Sequence, residues 1–420
     1  MSHGAALQAA QDAGLAWTLE HAARGSSWWR EHFAQAGVDV ATLAGAGELA
    51  RLPFTTKQDL RDAYPLGWLC VPEADVRRIH GSSGTTGKRT VCAYSAQDLD
   101  DWAEAFARCF RYAGVVPDDR VQVMVGYGLW TAGIGFQSGV ERLGAMAVPT
   151  GPGNVDFQLE VMEDLASTVI CSTSSFALML AEAVAERGMR NALHLKTAII
   201  GSERWSDGVR ARIEAALGVE SFDIYGLTEL YGPGMGIDCH RHEGIHVWSD
   251  LYIVEIIDPD TLEGLPPGAE GEIVLTTLRK EAMPLIRYRT RDRSWLYPEP
   301  CGCGSPYPRI GRLLGRTDDM VKVRGVAVFP AQVDSVLSTF DAAGPEYQIH
   351  VSRVASRDRL AVRVEAVESP ELVQSLSERL HHALGVHAAV EIVPPGSLPR
   401  STGKTLRVFD HRLEEGGERG

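Results

Sequence analysis

Residues 159–226 read "LEVMEDLASTVICSTSSFALMLAEAVAERGMRNALHLKTAIIGSERWSDGVRARIEAALGVESFDIYG". Three segments in it space apolar residues as a helix face does: "LEVMEDLAS" (159–167), "SFALMLAEAVAERG" (175–188) and "SDGVRARIEAALG" (206–218). Each is followed by a short apolar run of strand length: "TVICST" (168–173), "LKTAIIGSE" (195–203) and "ESFDIYG" (220–226). Parallel neighbours need a crossover between them, so repeated helix-then-strand units predict a parallel α/β sheet.

The same alternation extends upstream. "DRVQVMVGYG" (119–128) ends in glycines, "TAGIGFQSGVERLGA" (131–145) has helical spacing, and "MAVPTG" (146–151) is a further short strand. Residues 5–50 are alanine-rich and helical in pattern, and "LPFTTKQDLRDAYP" (52–65) offers Thr55 or Thr56 as a helix N-cap. Period-two patterns in "IHVWSDLYIVEII" (245–257) and "GEIVLTTL" (271–278) predict a small antiparallel β subdomain over about 245–310. Beyond "GRTDDMVKVRG" (315–325) the pattern gives a helix at 331–340, strands over 347–366, a helix at 370–384 and a strand at 387–394. The expected division is a large N-terminal domain, 1–315, and a small α+β C-terminal domain, 316–420.

Lysine and arginine total 41 against 55 acidic residues, a net charge of -14. That balance argues against a nucleic-acid partner, which needs a basic face. No apolar run is long enough to span a bilayer and no signal peptide is visible, so a cytoplasmic protein without membrane partners is expected. Seven cysteines are too few, and odd in number, for a disulfide framework. Cys70, Cys92, Cys109 and Cys171 sit among apolar neighbours and read as buried thiols. Cys239, Cys301 and Cys303 lie instead in "CHRHEGIH" (239–246) and "CGCG" (301–304). With His246 they make a Cys₃His set suited to tetrahedral Zn²⁺; His240 and His242 are alternative ligands.

"HGSSGTTGKRT" (80–90) is rich in glycine and hydroxyl groups, a composition that suits either a phosphate cradle or a flexible turn. It is not a Walker A loop: Ser82 stands where the first glycine belongs, and Arg89 where Ser or Thr must hold magnesium. The dinucleotide fingerprint fails as well, with Thr131 and Ser138 at the third glycine of "GYGLWT" and "GIGFQS". "SSGTTGK" (82–88) does resemble the phosphate loop of the adenylate-forming superfamily of acyl-CoA ligases, adenylation domains and luciferases. "YGLTE" (225–229), "YRTRD" (288–292), "GRTDDMVKVRG" (315–325) and "PRSTGK" (399–404) follow in that family's order. "LPFTTKQDLRDAYP", "GYGLWTAGIG" (126–135) and "RGVAVFPAQV" (324–333) are similar to its phenylacetate-CoA ligase branch.

The resemblance implies a two-step reaction. A carboxylate attacks the α-phosphate of ATP to give acyl-AMP and pyrophosphate, and a nucleophile, usually the CoA thiol, then displaces AMP. Ser82, Ser83, Gly84, Thr85, Thr86, Gly87 and Lys88 would clamp the β- and γ-phosphates. Thr228 would bind phosphate and Glu229 would hold Mg²⁺, a hard cation that prefers oxygen. Tyr225 and Gly226, with Gly201, Ser202 and Glu203, would adjoin the adenine. Asp292 would accept the ribose hydroxyls, where the family more often has glycine just before that aspartate and this chain has Arg291. Arg316 would face ribose or phosphate, Asp318 would be the hinge, and Lys404 would swing in to bridge the substrate carboxylate and α-phosphate. The family's acyl pocket corresponds to Tyr127, Trp130, Gly133 and Ile134, with room for an aromatic acid. Related members carry a metal near the cysteines. The acceptor stays open between CoA and a carrier protein, amine or other small nucleophile, as does pairing with a second copy of the chain.

Overall fold

The quoted alternation builds the middle of an eight-stranded sheet in the computed structural model, which describes residues 3–43, 45–82, 89–319, 321–340, 342–354, 357–399 and 407–413. Strands Met146–Val148, Arg120–Val123, Val169–Thr173, Thr197–Gly201 and Glu220–Leu227 lie side by side in that order, all parallel. The crossover helices Val155–Asp164, Ser174–Arg187 and Asp207–Leu217 start on Asn154, Thr173 and Ser206, whose side chains accept from backbone N–H groups three residues on. Two of them stop at Gly188 and Gly218, in the left-handed region at φ 64° and 63°. Along the strands Val169, Cys171 and Ile199 enter one core, and Ile170, Ala198 and Ile200 enter another. Burial on both faces explains why these strands read as unbroken apolar runs.

After Leu227 the sheet reverses habit. Strands Gly232–Ile237, Ile245–Val247 and Arg309–Ile310 continue it in antiparallel fashion. The 245–310 stretch therefore divides between two sheets, where the sequence pattern suggested a single subdomain. Glycines 232, 234 and 236 erase the alternating signal in the linking strand. The bare backbone at Gly234 also lets the Phe106 ring pack onto it, since a Cβ there would overlap the ring. The second sheet is antiparallel, in the order Tyr252–Ile257, Gly271–Thr277, Tyr288–Ser294, Gly315–Arg316.

The C-terminal residues have a core of their own, from Val321 to Ala388. Strands Ala388–Val393, Arg357–Ala366, Ala343–Val354 and Val408–Asp410 form one sheet, with helices Pro330–Leu337 and Pro370–Leu384 packed to the same core. Leu372, Leu376, Leu380 and Leu384 recur every four residues and are all buried, a single helix stripe against that sheet. Among the described residues no helix is long and apolar enough to cross a membrane.

Candidate active site

In open α/β sheets, ligands bind beyond the carboxyl ends of the strands. Here those ends deliver the 124–131 segment, Gly201–Glu203 and the Thr228–Glu229 turn. Glu229 is only 5% exposed. Its Oε1 accepts from Thr90 Oγ1 at 3.2 Å and lies 3.3 Å from Lys57 Nζ. Thr90 Oγ1 is also 2.7 Å from Ser82 Oγ, and Ser82 N donates to Thr90 O at 3.0 Å. The base of the glycine-hydroxyl loop is thereby held beside the Glu229 carboxylate. Residues Ser83, Gly84, Thr85, Thr86, Gly87 and Lys88 lie outside the described residues, as does Lys404. Arg89 is exposed and makes no hydrogen bond or ion pair among the described residues.

Lys57 was not singled out by the sequence. It opens helix Lys57–Asp62, whose first turn is closed by a reciprocal Thr56–Asp59 capping box. Thr55 docks that helix start: its N–H donates to Arg287 O at 3.0 Å and its hydroxyl to Ile286 O at 2.8 Å. The capping pattern is a legible signal for the helix, whereas the docking that brings its lysine to Glu229 is tertiary.

A second corner gathers at the antiparallel sheet. Asp292 pairs in register with Arg316. One carboxylate oxygen accepts from Arg316 Nη1 at 2.8 Å and the other from Tyr225 OH at 2.8 Å. Arg316 turns its remaining donors to Asp318, Nε to Oδ1 at 2.8 Å and Nη2 to Oδ2 at 2.9 Å. Burial, reinforced by Asp292, holds the Tyr225 phenol well above the usual tyrosine range, so it stays a donor. Arg291 has φ 69°, the left-handed region where glycine is at ease and a larger residue is strained. The backbone demand at this position is unchanged, and Thr317 N, donating to Arg291 O at 2.7 Å, helps to hold it.

Gly201 ends its strand against Ile224, where a Cβ would stand 2.6 Å from the Ile224 carbonyl oxygen. Ser202 follows at φ 70°. Glu203 Oε2 accepts from Ser175 N at 3.0 Å and from Ser175 Oγ at 2.6 Å, fixing the loop to a helix start. Gly226 is packed against the Gly232–Pro233 backbone with no room for a side chain. Asp223 lies on the same strand as Tyr225. Desolvation, then repulsion from Asp238, lifts its carboxyl to about 7. Gly133 closes against Tyr127, since a Cβ there would be 2.7 Å from that ring. Tyr127, Trp130 and Ile134 are partly buried and pack against the large core.

At the other end of the main sheet, Cys239, His246, Cys301 and Cys303 bring one donor atom each within 4.8 Å of one another. Cys239 Sγ is 3.8 Å from Cys301 Sγ, and Cys303 Sγ is 3.5 Å from His246 Nε2. His246 Nδ1 meets Tyr307 O at 3.1 Å, which turns Nε2 toward the thiols. Of the alternative ligands, His242 is engaged elsewhere, with Asp238 at 3.0 Å and Arg210 at 2.8 Å, and His240 is exposed. Cys70, Cys92, Cys109 and Cys171 are buried free thiols, as expected.

Residues 72–278 match the AMP-binding enzyme family, and residues 325–412 match the AMP-binding enzyme C-terminal domain. A phenylacetate-coenzyme A ligase of Escherichia coli is 41% identical over 418 residues, 97% of this chain and 95% of the relative. The chain belongs to the adenylate-forming AMP-binding enzymes, in their phenylacetate-CoA ligase branch. A Thermus thermophilus phenylacetate-coenzyme A ligase is also 41% identical, over 92% of each chain. Among solved adenylate-forming structures, 2-hydroxyisobutyryl-CoA ligase in the postadenylation state with 2-HIB-AMP superposes with a TM-score of 0.88 at 29% identity, covering 96% of this chain and 89% of that one. The same ligase with 2-HIB-AMP and CoA in the thioesterification state gives a TM-score of 0.71 at 29% identity, covering 98% and 91%.

Proposed function

We propose that this enzyme activates an aryl or arylacetic acid with ATP, releasing pyrophosphate, and passes the acyl group from the adenylate to the thiol of CoA. The observation that carries the reading is the convergence of a buried carboxylate, Glu229, with the foot of the glycine-hydroxyl loop, together with a Tyr225–Asp292–Arg316 corner, beyond the carboxyl ends of the parallel strands. The names of the relatives, phenylacetate-coenzyme A ligases, support the substrate class.

The chemical obstacle in the first step is one anion attacking another. Mg²⁺ would supply screening of the phosphate charge, and the buried Glu229 carboxylate, an oxygen donor suited to such a hard cation, would hold it, with Oε2 taking no hydrogen bond among the described residues. Thr228 orients a phosphate oxygen, and Lys57 adds positive charge to the same corner. Asp292 accepts from the ribose hydroxyls, Tyr225 and Gly226 adjoin the base with the Gly201–Glu203 loop, and Arg316 spans ribose and hinge. The residues 83–88 hold the departing pyrophosphate. Lys404 meets the carboxylate and α-phosphate in the adenylating pose, and rotation about Asp318 withdraws it to admit the acceptor. Tyr127, Trp130, Gly133 and Ile134 receive the aromatic ring.

Pyrophosphate release across a panel of aromatic acids, with mass spectrometry of products with and without CoA, tests the reading. Acyl-AMP alone in the presence of CoA points to a carrier protein or amine as acceptor, and no adenylate from any acid defeats the proposal. Lys404→Ala should lower pyrophosphate release by about 10²–10³, as loss of a transition-state donor does, and leave thioester formation from supplied adenylate intact.

The Cys239, His246, Cys301 and Cys303 set is proposed to hold a structural Zn²⁺. Tetrahedral zinc with Zn–S near 2.3 Å sets S···S edges of about 3.8 Å and S···N edges of about 3.6 Å, close to the separations here. All four positions are taken by protein, so the ion would pin two β segments and leave no site for a reacting water. Metal analysis returning far below one zinc per chain rejects it.

A further inference from the structure

Lys280 is the one lysine whose side chain is fully buried among the described residues, at 0% exposure. It forms no ion pair among them. Its Nζ donates to Ala93 O at 3.3 Å and stands 4.0 Å from the ring centroid of Tyr94 and 5.4 Å from that of Tyr231. Burying a cation carries a large desolvation cost unless something compensates it. Here burial lowers the ammonium pKa, and the compensation is the nearby Asp98 carboxylate, two aromatic faces and one carbonyl.

The surroundings hold this lysine in place. Asp98 accepts from Glu281 N at 2.7 Å and Ala282 N at 3.0 Å, and Ser95 Oγ donates to Glu281 at 2.6 Å. Arg279 pairs with Asp101 at 3.0 Å. The segment 279–282 is therefore clamped to the start of helix Ala96–Tyr112, with Lys280 driven beneath strand Val91–Tyr94. That strand pairs with Arg78–Gly81, and the two carry the glycine-hydroxyl loop between them. The far end of Tyr94 reaches the active site: its hydroxyl donates to the carbonyl oxygen of Thr228 at 2.7 Å. Lys280, the Tyr94 ring, the Tyr94 hydroxyl and the Thr228–Glu229 turn thus form one continuous line of contact.

We propose that Lys280 is a positioning residue for the Thr228–Glu229 turn, acting through Tyr94. A cation on the ring face draws density from the phenol and strengthens its O–H as a donor, so the Thr228 carbonyl is held more firmly. The turn then presents Glu229 to the cation of Mg·ATP without having to be ordered when the nucleotide arrives. The proposal rests on the role given above to Glu229.

The test compares Lys280→Met, Tyr94→Phe and the double variant in the full chain. Calorimetry measures ATP binding as a function of Mg²⁺ concentration, and the two half-reactions are assayed separately. The Mg²⁺ midpoint for ATP binding should rise about fivefold to tenfold in each single variant, the scale of one lost hydrogen bond. The double variant should match the worse single within about twofold, because both substitutions break the same line. Thioester formation from supplied aryl adenylate and CoA, which needs no bound Mg·ATP, should fall by a smaller factor than pyrophosphate release does. An unchanged midpoint in folded Tyr94→Phe, or midpoint shifts that multiply in the double variant, overturns the proposal. So does a Lys280→Met protein that melts earlier with its midpoint unmoved, which marks a merely structural lysine. If Lys280→Met does not fold, Lys280→Gln takes its place, and an unmoved midpoint in that folded variant overturns the proposal. A wild type that binds Mg·ATP yet releases no pyrophosphate with any aromatic acid defeats the catalytic reading instead and leaves the binding comparison standing.

Discussion

The two halves of the eight-stranded sheet end in different kinds of polar cluster. The parallel half ends at Glu229, Thr90, Ser82 and Lys57, where one carboxylate is shared by a hydroxyl and a half-exposed lysine. The antiparallel half ends at Cys239, His246, Cys301 and Cys303, four donors turned on one another. The first cluster keeps a carboxylate oxygen, Glu229 Oε2, that takes no hydrogen bond among the described residues. The second is closed on itself. Parallel strands bring their carboxyl ends, and the turns that follow, to one edge; antiparallel strands bring turns back to neighbouring strands, which suits cross-linking.

Substitutions in the two halves should separate accordingly. Glu229→Gln is expected to lower pyrophosphate release by about 10²–10³ with little change in melting temperature, because the amide keeps the size and loses the charge. A large fall in stability without that loss would assign Glu229 to the fold instead. Cys301→Ser should do the reverse, costing about 3 kcal/mol of stability while adenylate formation per folded molecule stays near wild type, and a strong chelator should destabilise wild type but not the variant. Lys57→Met tests whether the exposed member of the first cluster matters: about a tenfold drop in adenylation is expected, measured as pyrophosphate release.

Asp223 lies at the seam, on the strand that pairs with both halves, and its N–H donates to Asp238 Oδ1 at 2.8 Å. Its folded carboxyl titrates at about 7 against an ordinary 3.8. The folded chain therefore holds a proton there that the unfolded chain has lost, so its contribution to stability is full below about 4 and falls as pH rises through about 7. Asp223→Asn should flatten that decline, read as melting temperature against pH. An equally steep decline in the variant assigns the slope to other groups.

Glu229, Asp292 and Arg316 were singled out through the family resemblance of the contiguous motifs that carry them, and the structure brings Asp292 and Arg316 together as an ion pair. The helix–strand alternation was legible because burial on both faces leaves unbroken apolar runs. Lys57 was not, since it reaches Glu229 only when Thr55 docks on Ile286 and Arg287. His246 could not be told from His240 and His242 by spacing; what separates them is that Asp238 and Arg210 already hold His242. Arg291 looked like a departure from the family, yet the backbone keeps the conformation that glycine would take. The glycine strand Gly232–Ile237 hid because alternation cannot be read where side chains are missing.

The Thr55 docking also has a consequence for how the protein is made. Thr55 bonds to Arg287 and Arg289 across more than half of the sequence, so no nascent fragment that ends before them can complete the phosphate corner. Lys57 is synthesised early and waits for its carboxylate and for the strand that docks it. Closure of so long a loop is a late folding event, favoured only after the intervening sheet has formed. The enzyme should therefore acquire nucleotide affinity as nearly the last property of its large domain, once strand Tyr288–Ser294 has left the ribosome.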